Sequence, residues 1–448
     1  MQQDVEQMFR RIHSFRDPLH GFVRVSRVER DLIDCSVFQR LRRIHQLGTG
    51  YLVYHGAEHS RFGHSLGVME IATRVFRAIN EKRSGLLGKG DDLRRNEQLL
   101  RLAALLHDLG HPPFSHAADE LFSEEPGTGK KRQHEDYTQV LIAQSEIREI
   151  IDTNFAPLEI SAETVVDLFR DPAQLGKVGI LLQDIVAGEL DADRMDYLAR
   201  DSLLAGVTYG RYDLERLLDT VTAIEDKEGV HLAVEDGGFY ALEAFLLARY
   251  YMFLQVYLHE DRRFYDVALS RVLKELLRIE GGTYPQPTDW QKFLRLDDIW
   301  VLAQVEELAR EGNEWAQALR DRRHWKVLAS MDERDVHVDQ VAWTHAQRDV
   351  LEKFGERDAV VDDARAKAFQ RTDPGPYITG QTEAAERPKI VVLDPLDPLG
   401  KTAYRVEDRS DIVNNLGRHR VRIMRIYARR DAFADVLSFW TDALARHT

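Results

Sequence analysis

Residues 99 to 116 read LLRLAALLHDLGHPPFSH: a run apolar nearly all round to Leu106, then His107, Asp108, His111 and His116 in quick succession. A helix that is apolar on all sides belongs inside a protein rather than on its surface. His107 and Asp108 are therefore carried into the interior. A carboxylate there requires a cation, a metal or strong hydrogen bonds, because an unpaired buried charge is expensive. For this pair taken alone, a hydrogen-bonded core histidine and a helix-terminal aspartate before Gly110 is the simpler account. Other segments change that balance.

His64 opens an amphipathic helix in HSLGVMEIATRVFRAIN, where Leu66, Ile71, Val75 and Ile79 repeat at helical spacing. Asp191, Asp193, Asp196 and Asp201 lie along another helix in ELDADRMDYLARDS. Imidazoles combined with carboxylates form a mixed nitrogen and oxygen donor set suited to Mn, Fe, Zn, Ni or Co. Such an ion polarises phosphoryl oxygens and lowers the pKa of bound water.

The rest of the chain bounds these readings. At 448 residues it is long enough for a large body and a smaller lobe. The net charge of -14 disfavours a broad basic face for nucleic acid, so anionic ligands must meet local arginines. One cysteine, Cys35, rules out an internal disulfide framework. No stretch approaches the ~20 apolar residues of a membrane span, and a cytoplasmic protein is expected. The pattern from about 30 to 280 predicts a mainly α helical bundle, with polar loops at RSGLLGKGDDLRRN and SEEPGTGKKRQHED. A short strand in HLAVEDGGFYAL leads to a long helix from about 240 to 278. The predicted division is a helical body over 1–370, a linker over 371–388 rich in Pro, Gly and polar residues, and an α+β lobe over 389–448.

The ordered strings DPLHG, FQRLRRIHQLG, HSRFGHSLGV, HDLGHPPFSH, HED and DADRMDYLARDSLLAGVTYG resemble the HD-domain deoxynucleoside triphosphate triphosphohydrolases. These include bacterial dGTPase-like enzymes and a vertebrate sterile-alpha-motif/HD relative. The likeness runs from about 16 to 280 and is weaker from 389 to 440. It implies hydrolysis of dNTPs to deoxynucleoside and inorganic triphosphate, with His64, His107, Asp108 and Asp193 as ligands of a divalent transition metal and Mg accompanying the substrate. It places His111, His116 and His134 at the phosphates, with His116 transferring a proton and Asp119 orienting it. Arg61, Arg194 and Arg249 would hold phosphate charge, since guanidinium forks bind phosphate oxygens in pairs. Gln46, Leu47, Tyr197, Asp201 and Tyr257 would line the sugar. A tyrosine against C2' would leave a ribose hydroxyl unpaired and so reject ribonucleotides.

Asp34, Gln39 and Arg42 match positions that hold a guanine activator in a homotetramer, so dGTP activation is a further implication. The chain departs from the vertebrate pattern nearby, where His13 and Ser14 replace a Lys-Val pair and Arg16 is the adjacent cation. Two other readings stay open: another HD phosphohydrolase, such as a 5'-nucleotidase or signalling-nucleotide hydrolase, and a non-catalytic nucleic-acid-binding regulator.

Overall fold

The computed structural model describes residues 6–225, 229–335, 338–366, 390–394, 403–418 and 421–448. Its architecture is mainly α, with a helical body and a smaller sheet-containing C-terminal region. Three helices build the centre: α1 (Arg61–Lys82), α2 (Asp91–Leu106) and α4 (Ala192–Ala205); α3 (His134–Gln144) packs beside the end of α2. Leu66, Ile71, Val75 and Ile79 face the core, as their spacing predicts. From Leu99 to Leu106 every residue of α2 is buried.

That run includes one charge, Arg101, and its burial requires compensation. The partner is Glu29, in the first turn of the helix Arg27–Asp34. Ser26 caps this helix, with its hydroxyl accepting from the Glu29 N–H at 3.3 Å while the Glu29 carboxylate accepts from the Ser26 N–H at 2.7 Å. The same carboxylate accepts from Arg101 Nε at 2.6 Å and from Gln98 Nε2 at 2.6 Å. A local capping motif thus also anchors the buried helix.

Two expected loops are shorter than their composition suggests. α2 starts at Asp91, where Asp91 and Asp92 favour the positive end of the helix dipole, and α3 starts at His134 behind a capping box of Gln133 and Asp136. The predicted helix over 240–278 is interrupted: α5 (Phe239–Met252) passes into a π turn, Phe253–Tyr257, and α6 (Glu260–Leu276) begins afresh. The Leu258 N–H donates to the Phe253 carbonyl at 2.8 Å, and the His259 side chain then caps α6 by accepting from the Asp261 N–H at 3.2 Å. Neither proline nor glycine marks this break, so apolar spacing runs through it unbroken.

β1 (His13–Asp17) and β2 (Gly21–Val25) form a hairpin. The predicted strand in HLAVEDGGFYAL is β4 (Val230–Val234), paired with β3 (Val221–Glu225). The strands expected together in one lobe over 389–448 divide between two sheets. β7 (Val391–Leu393) joins β4 in parallel and pairs with β8 (Ala403–Arg405), extending the sheet of the body. β9 (Val421–Ala428), buried along nearly its whole length, lies between β5 (Lys326–Asp332) and β6 (Ala359–Ala366) and pairs antiparallel with both. The helix Phe433–His447 packs on Gln340–Asp358, with Trp343 and Trp440 edge to face. The linker expected at 371–388 lies outside the described residues. Among the described residues, no helix is long and apolar enough to cross a membrane.

Candidate metal and phosphate site

The first turn of α1 carries His64, the end of α2 delivers His107 and Asp108, and the first turn of α4 carries Asp193. His107 Nδ1 donates to the Ala104 carbonyl at 2.8 Å, which leaves the Nε2 lone pair facing the site. That Nε2 is buried and makes no hydrogen bond. Such an atom suits a metal ligand, since buried polar atoms otherwise find partners. It lies 3.7 Å from Asp193 Oδ1, and His64 Nε2 lies 2.9 Å from the same oxygen. The three residues offer donor atoms within 4.8 Å of one another, so His64, His107 and Asp193 fit a divalent cation.

Asp108 stands beside this trio in different company. Arg61 Nη1 donates to Asp108 Oδ2 at 2.5 Å, and His111 Nε2 lies 3.1 Å from Oδ1. Burial alone would raise the pKa of Asp108, but the charge of Arg61 and the neighbouring histidines hold it well below the usual carboxylate range. Burial likewise opposes ionisation of Asp193, and is outweighed by the neighbouring His107 and His64 imidazoles, which hold it well below the usual carboxylate range. His64 is pushed up to about 10: burial disfavours its charge, but bonds to Asp193 and Asp196 and the charge of Asp108 prevail.

His111, His116 and His134 form the second cluster. The rings of His111 and His134 stack at 3.9 Å between centroids, and His116 meets His111 edge-on at 4.8 Å. Gly110 permits this approach, because a Cβ there would sit 2.0 Å from the His134 carbonyl oxygen. Thr138 on α3 completes the contact, accepting from the Gly110 N–H at 2.9 Å and donating to the His107 carbonyl at 3.0 Å. Burial, with the charge of His116, pushes His134 down to about 3, and burial with Arg61 pushes His111 well below its ordinary value. Both rings are thus neutral near pH 7. His116 is exposed, with Nδ1 2.9 Å from Asp119 Oδ2.

The structure gives the three arginines protein partners. Arg61 also donates from Nε to Ser115 Oγ at 2.7 Å. Arg194 bonds to Asp191 and to the Gly188 carbonyl, and Arg249 Nη1 donates to Glu189 Oε2 at 3.0 Å. Asp191 is itself pushed up to about 7 by burial, against the opposing charge of Arg194. Among the sugar candidates, Tyr257 in the π turn donates to Asp201 Oδ2 at 2.9 Å, and His59 Nε2 lies 2.8 Å from Oδ1. The Tyr197 ring lies 6.5 Å from that of His64 and 6.1 Å from that of Tyr257. Gln46 follows through its N–H bond to the His59 carbonyl at 2.9 Å, and its Oε1 is buried with no hydrogen bond. Leu47 is part of the core.

Of the activator candidates, Gln39 and Arg42 bond to one another and Asp34 is engaged elsewhere. Asp34 accepts from Arg30 Nε at 3.1 Å, whereas Gln39 bonds to the Ile33 carbonyl and to Arg42, whose guanidinium lies 3.5 Å from the Phe62 ring centre.

Sequence reasoning missed the hub behind the site. Asp196 is fully buried and bonds to His64 Nδ1 at 2.8 Å, His20 Nε2 at 2.6 Å and Arg200 Nε at 2.7 Å; Arg200 also donates to Asp17 at 2.9 Å. A clue was present: Asp193, Asp196 and Arg200 sit three and four residues apart on one helix face, and Asp17 and His20 belong to DPLHG.

The HD-domain family profile matches residues 61–201, and that of the HD-associated region matches 212–365. Protein YwfO of Bacillus subtilis, itself uncharacterized, is 37% identical over 275 residues, or 60% of this chain and 57% of that protein. The chain thus spans little more than half the length of that relative. A SAMHD1 homolog of Dictyostelium discoideum, named a deoxynucleoside triphosphate triphosphohydrolase, is 28% identical over 80% of this chain and 68% of its own. The crystal structure of a hypothetical protein from Aquifex aeolicus superposes with a TM-score of 0.72 at 31% identity, covering 95% of this chain and 99% of the other. The chain belongs to the HD-domain family and carries its associated region, and deoxynucleoside triphosphate triphosphohydrolases are among its homologues.

Proposed function

We propose that this protein is a metal-dependent phosphohydrolase that cleaves dNTPs to deoxynucleoside and inorganic triphosphate. The observation that carries the reading is the buried Nε2 of His107, which makes no hydrogen bond and lies 3.7 Å from Asp193 Oδ1, with Asp108 joining it to the cluster of His111, His116 and His134. The named activity of the SAMHD1 relatives supplies the substrate class. His64, His107, Asp193 and Asp108 would hold a divalent metal, which would supply Lewis-acid polarisation of a phosphoryl oxygen and acidify water.

The chain's own groups account for the rest. Arg194 and Arg249 exchange their protein partners for phosphate oxygens, and Arg61, still held by Ser115, turns from Asp108 to phosphate and frees that carboxylate. His111 and His134, held neutral, donate hydrogen bonds to the phosphates. Water adds to the α-phosphorus and loses a proton to solvent, the bond to O5' breaks, and His116, oriented by Asp119, gives its proton to O5'. Tyr197, Tyr257 and Asp201, with Gln46 and Leu47, enclose the sugar.

Incubation with each dNTP and NTP in oxygen-18 water, followed by chromatography, tests this. Labelled inorganic triphosphate and unlabelled deoxynucleoside are expected; deoxynucleoside monophosphate with pyrophosphate would overturn the assignment. The reading extends to a homotetramer activated by dGTP through Asp34, Gln39 and Arg42. Equal dATP turnover with and without dGTP, at unchanged mass by light scattering, would remove that extension.

A further inference from the structure

Two loops of the candidate site are tied to one short segment of the HD-associated region. Arg40, buried, donates from Nε and Nη2 to the Leu296 carbonyl at 3.0 and 2.6 Å, and from Nη1 to the His111 carbonyl at 2.8 Å. Asp297 caps the helix Asp298–Arg310, accepting from the Trp300 N–H at 2.9 Å. Its neighbour Asp298 does something else. Almost fully buried, its Oδ2 accepts from the His45 N–H at 2.7 Å and lies 2.5 Å from His45 Nδ1, while its Oδ1 accepts from the Phe114 N–H at 2.7 Å.

Phe114 and Ser115 are the reason such a grip matters. Both have φ of 57°, a left-handed conformation that side chains other than glycine disfavour, so the turn persists only where its surroundings hold it. The His45 ring stacks on Phe114 at 5.8 Å and on Tyr51 at 5.0 Å. Ser115 Oγ donates to the His45 carbonyl at 2.6 Å and accepts from Arg61 Nε, which links the turn to the guanidinium on Asp108. The next residue is His116. One carboxylate therefore serves both the loop of Gln46 and Leu47 and the loop of His111 and His116.

We propose that Asp298 is a positioning residue, which holds Phe114 and Ser115 in the left-handed turn that sets His116 and Arg61 for the reaction. The proposal rests on the hydrolase reading above. An ionised carboxylate accepts at both oxygens at once, whereas an amide offers one oxygen and turns an NH2 toward another donor. The two donors of His45 claim the amide oxygen, so Asp298→Asn keeps the shape, turns its NH2 against the Phe114 N–H and releases that turn.

The test compares Asp298→Asn with Asp297→Asn, in which asparagine remains a good cap. Turnover, metal content, thermal midpoint and hydrogen–deuterium exchange of the peptide containing Phe114 are measured on the full chain. For Asp298→Asn we expect kcat to fall about 10²-fold, the scale of a small misplacement of reacting groups. Metal content and midpoint should match those of Asp297→Asn, exchange at Phe114 should accelerate, and Asp297→Asn should turn over as the parent does. Full turnover by folded Asp298→Asn, or unchanged exchange at Phe114, overturns the proposal. Should Asp298→Asn fail to fold, Ser115→Ala breaks the link between His45 and Arg61, and its full turnover overturns the proposal equally. If the parent hydrolyses no dNTP, the functional reading fails separately, and exchange at Phe114 still decides whether Asp298 holds the turn.

Discussion

His64 Nδ1 and Asp196 Oδ2 lie 2.8 Å apart in the core of the protein, on the side of the imidazole away from Asp193. A carboxylate behind a ligand histidine fixes the ring and raises its basicity, and outer partners of this kind change metal affinity by about 10–100-fold. Asp196→Asn should therefore weaken metal binding by that order while far-ultraviolet circular dichroism stays the same. Metal competition titration measures it; an unaltered affinity would show that Asp196 serves packing alone.

Gly67 lies one turn along from His64, and a Cβ there would come within 1.9 Å of Asp196 Oδ1 and 2.4 Å of Arg200 Nη2. Gly67→Ala must displace a buried ion pair. The expected cost is about 1–3 kcal/mol of stability, the usual scale of overpacking. Chemical denaturation reads the loss, and a variant as stable as the parent contradicts the packing described here.

Glu29 supplies a pH dependence. Burial raises its pKa, but Arg101 outweighs burial and holds it at about 2 against an ordinary 4.5. Because the folded value is the lower one, the stabilisation is complete above pH 4.5 and is lost as pH falls toward 2. Its size is about 3 kcal/mol from the shift. Glu29→Gln should be less stable than the parent at pH 7, with the gap narrowing through that window in denaturation midpoints. A gap that stays constant with pH refutes the assignment.

His107→Ala and Asp193→Asn should abolish turnover and metal retention, yet leave the helical bundle folded. Each removes a donor atom at the edge of a core that packs independently of it. Elemental analysis paired with circular dichroism separates these effects. Retained metal and turnover in Asp193→Asn would sink the ligand set.

A Tyr257→Ala variant should admit ribonucleotides. The ring and its bond to Asp201 vanish together, so a ribose hydroxyl gains room and an acceptor. An unpaired hydroxyl costs about 1–3 kcal/mol, so discrimination should shrink by roughly 5- to 150-fold. The ratio of kcat/KM for dGTP and GTP tests this, and an unchanged ratio removes Tyr257 from sugar selection.

What the chain determined by itself is local. Apolar spacing places α1 and the buried face of α2, and the motif resemblance picks out His64, His107, Asp108 and Asp193, of which the fold brings donor atoms of His64, His107 and Asp193 within 4.8 Å of one another. Periodicity could not show the π turn at Phe253–Tyr257, where the apolar pattern continues across the break. Nor could it show that β7 and β9 join different sheets, since strand partners are chosen by edges far away in sequence. The tertiary structure alone decided the buried partners. Arg101 finds Glu29 across 72 positions, His20 finds Asp196 across 176, and Asp298 reaches His45 across 253. Each charge looks like an error in its own segment, and is stable only because the fold brings its counter-charge or hydrogen-bond donor to it.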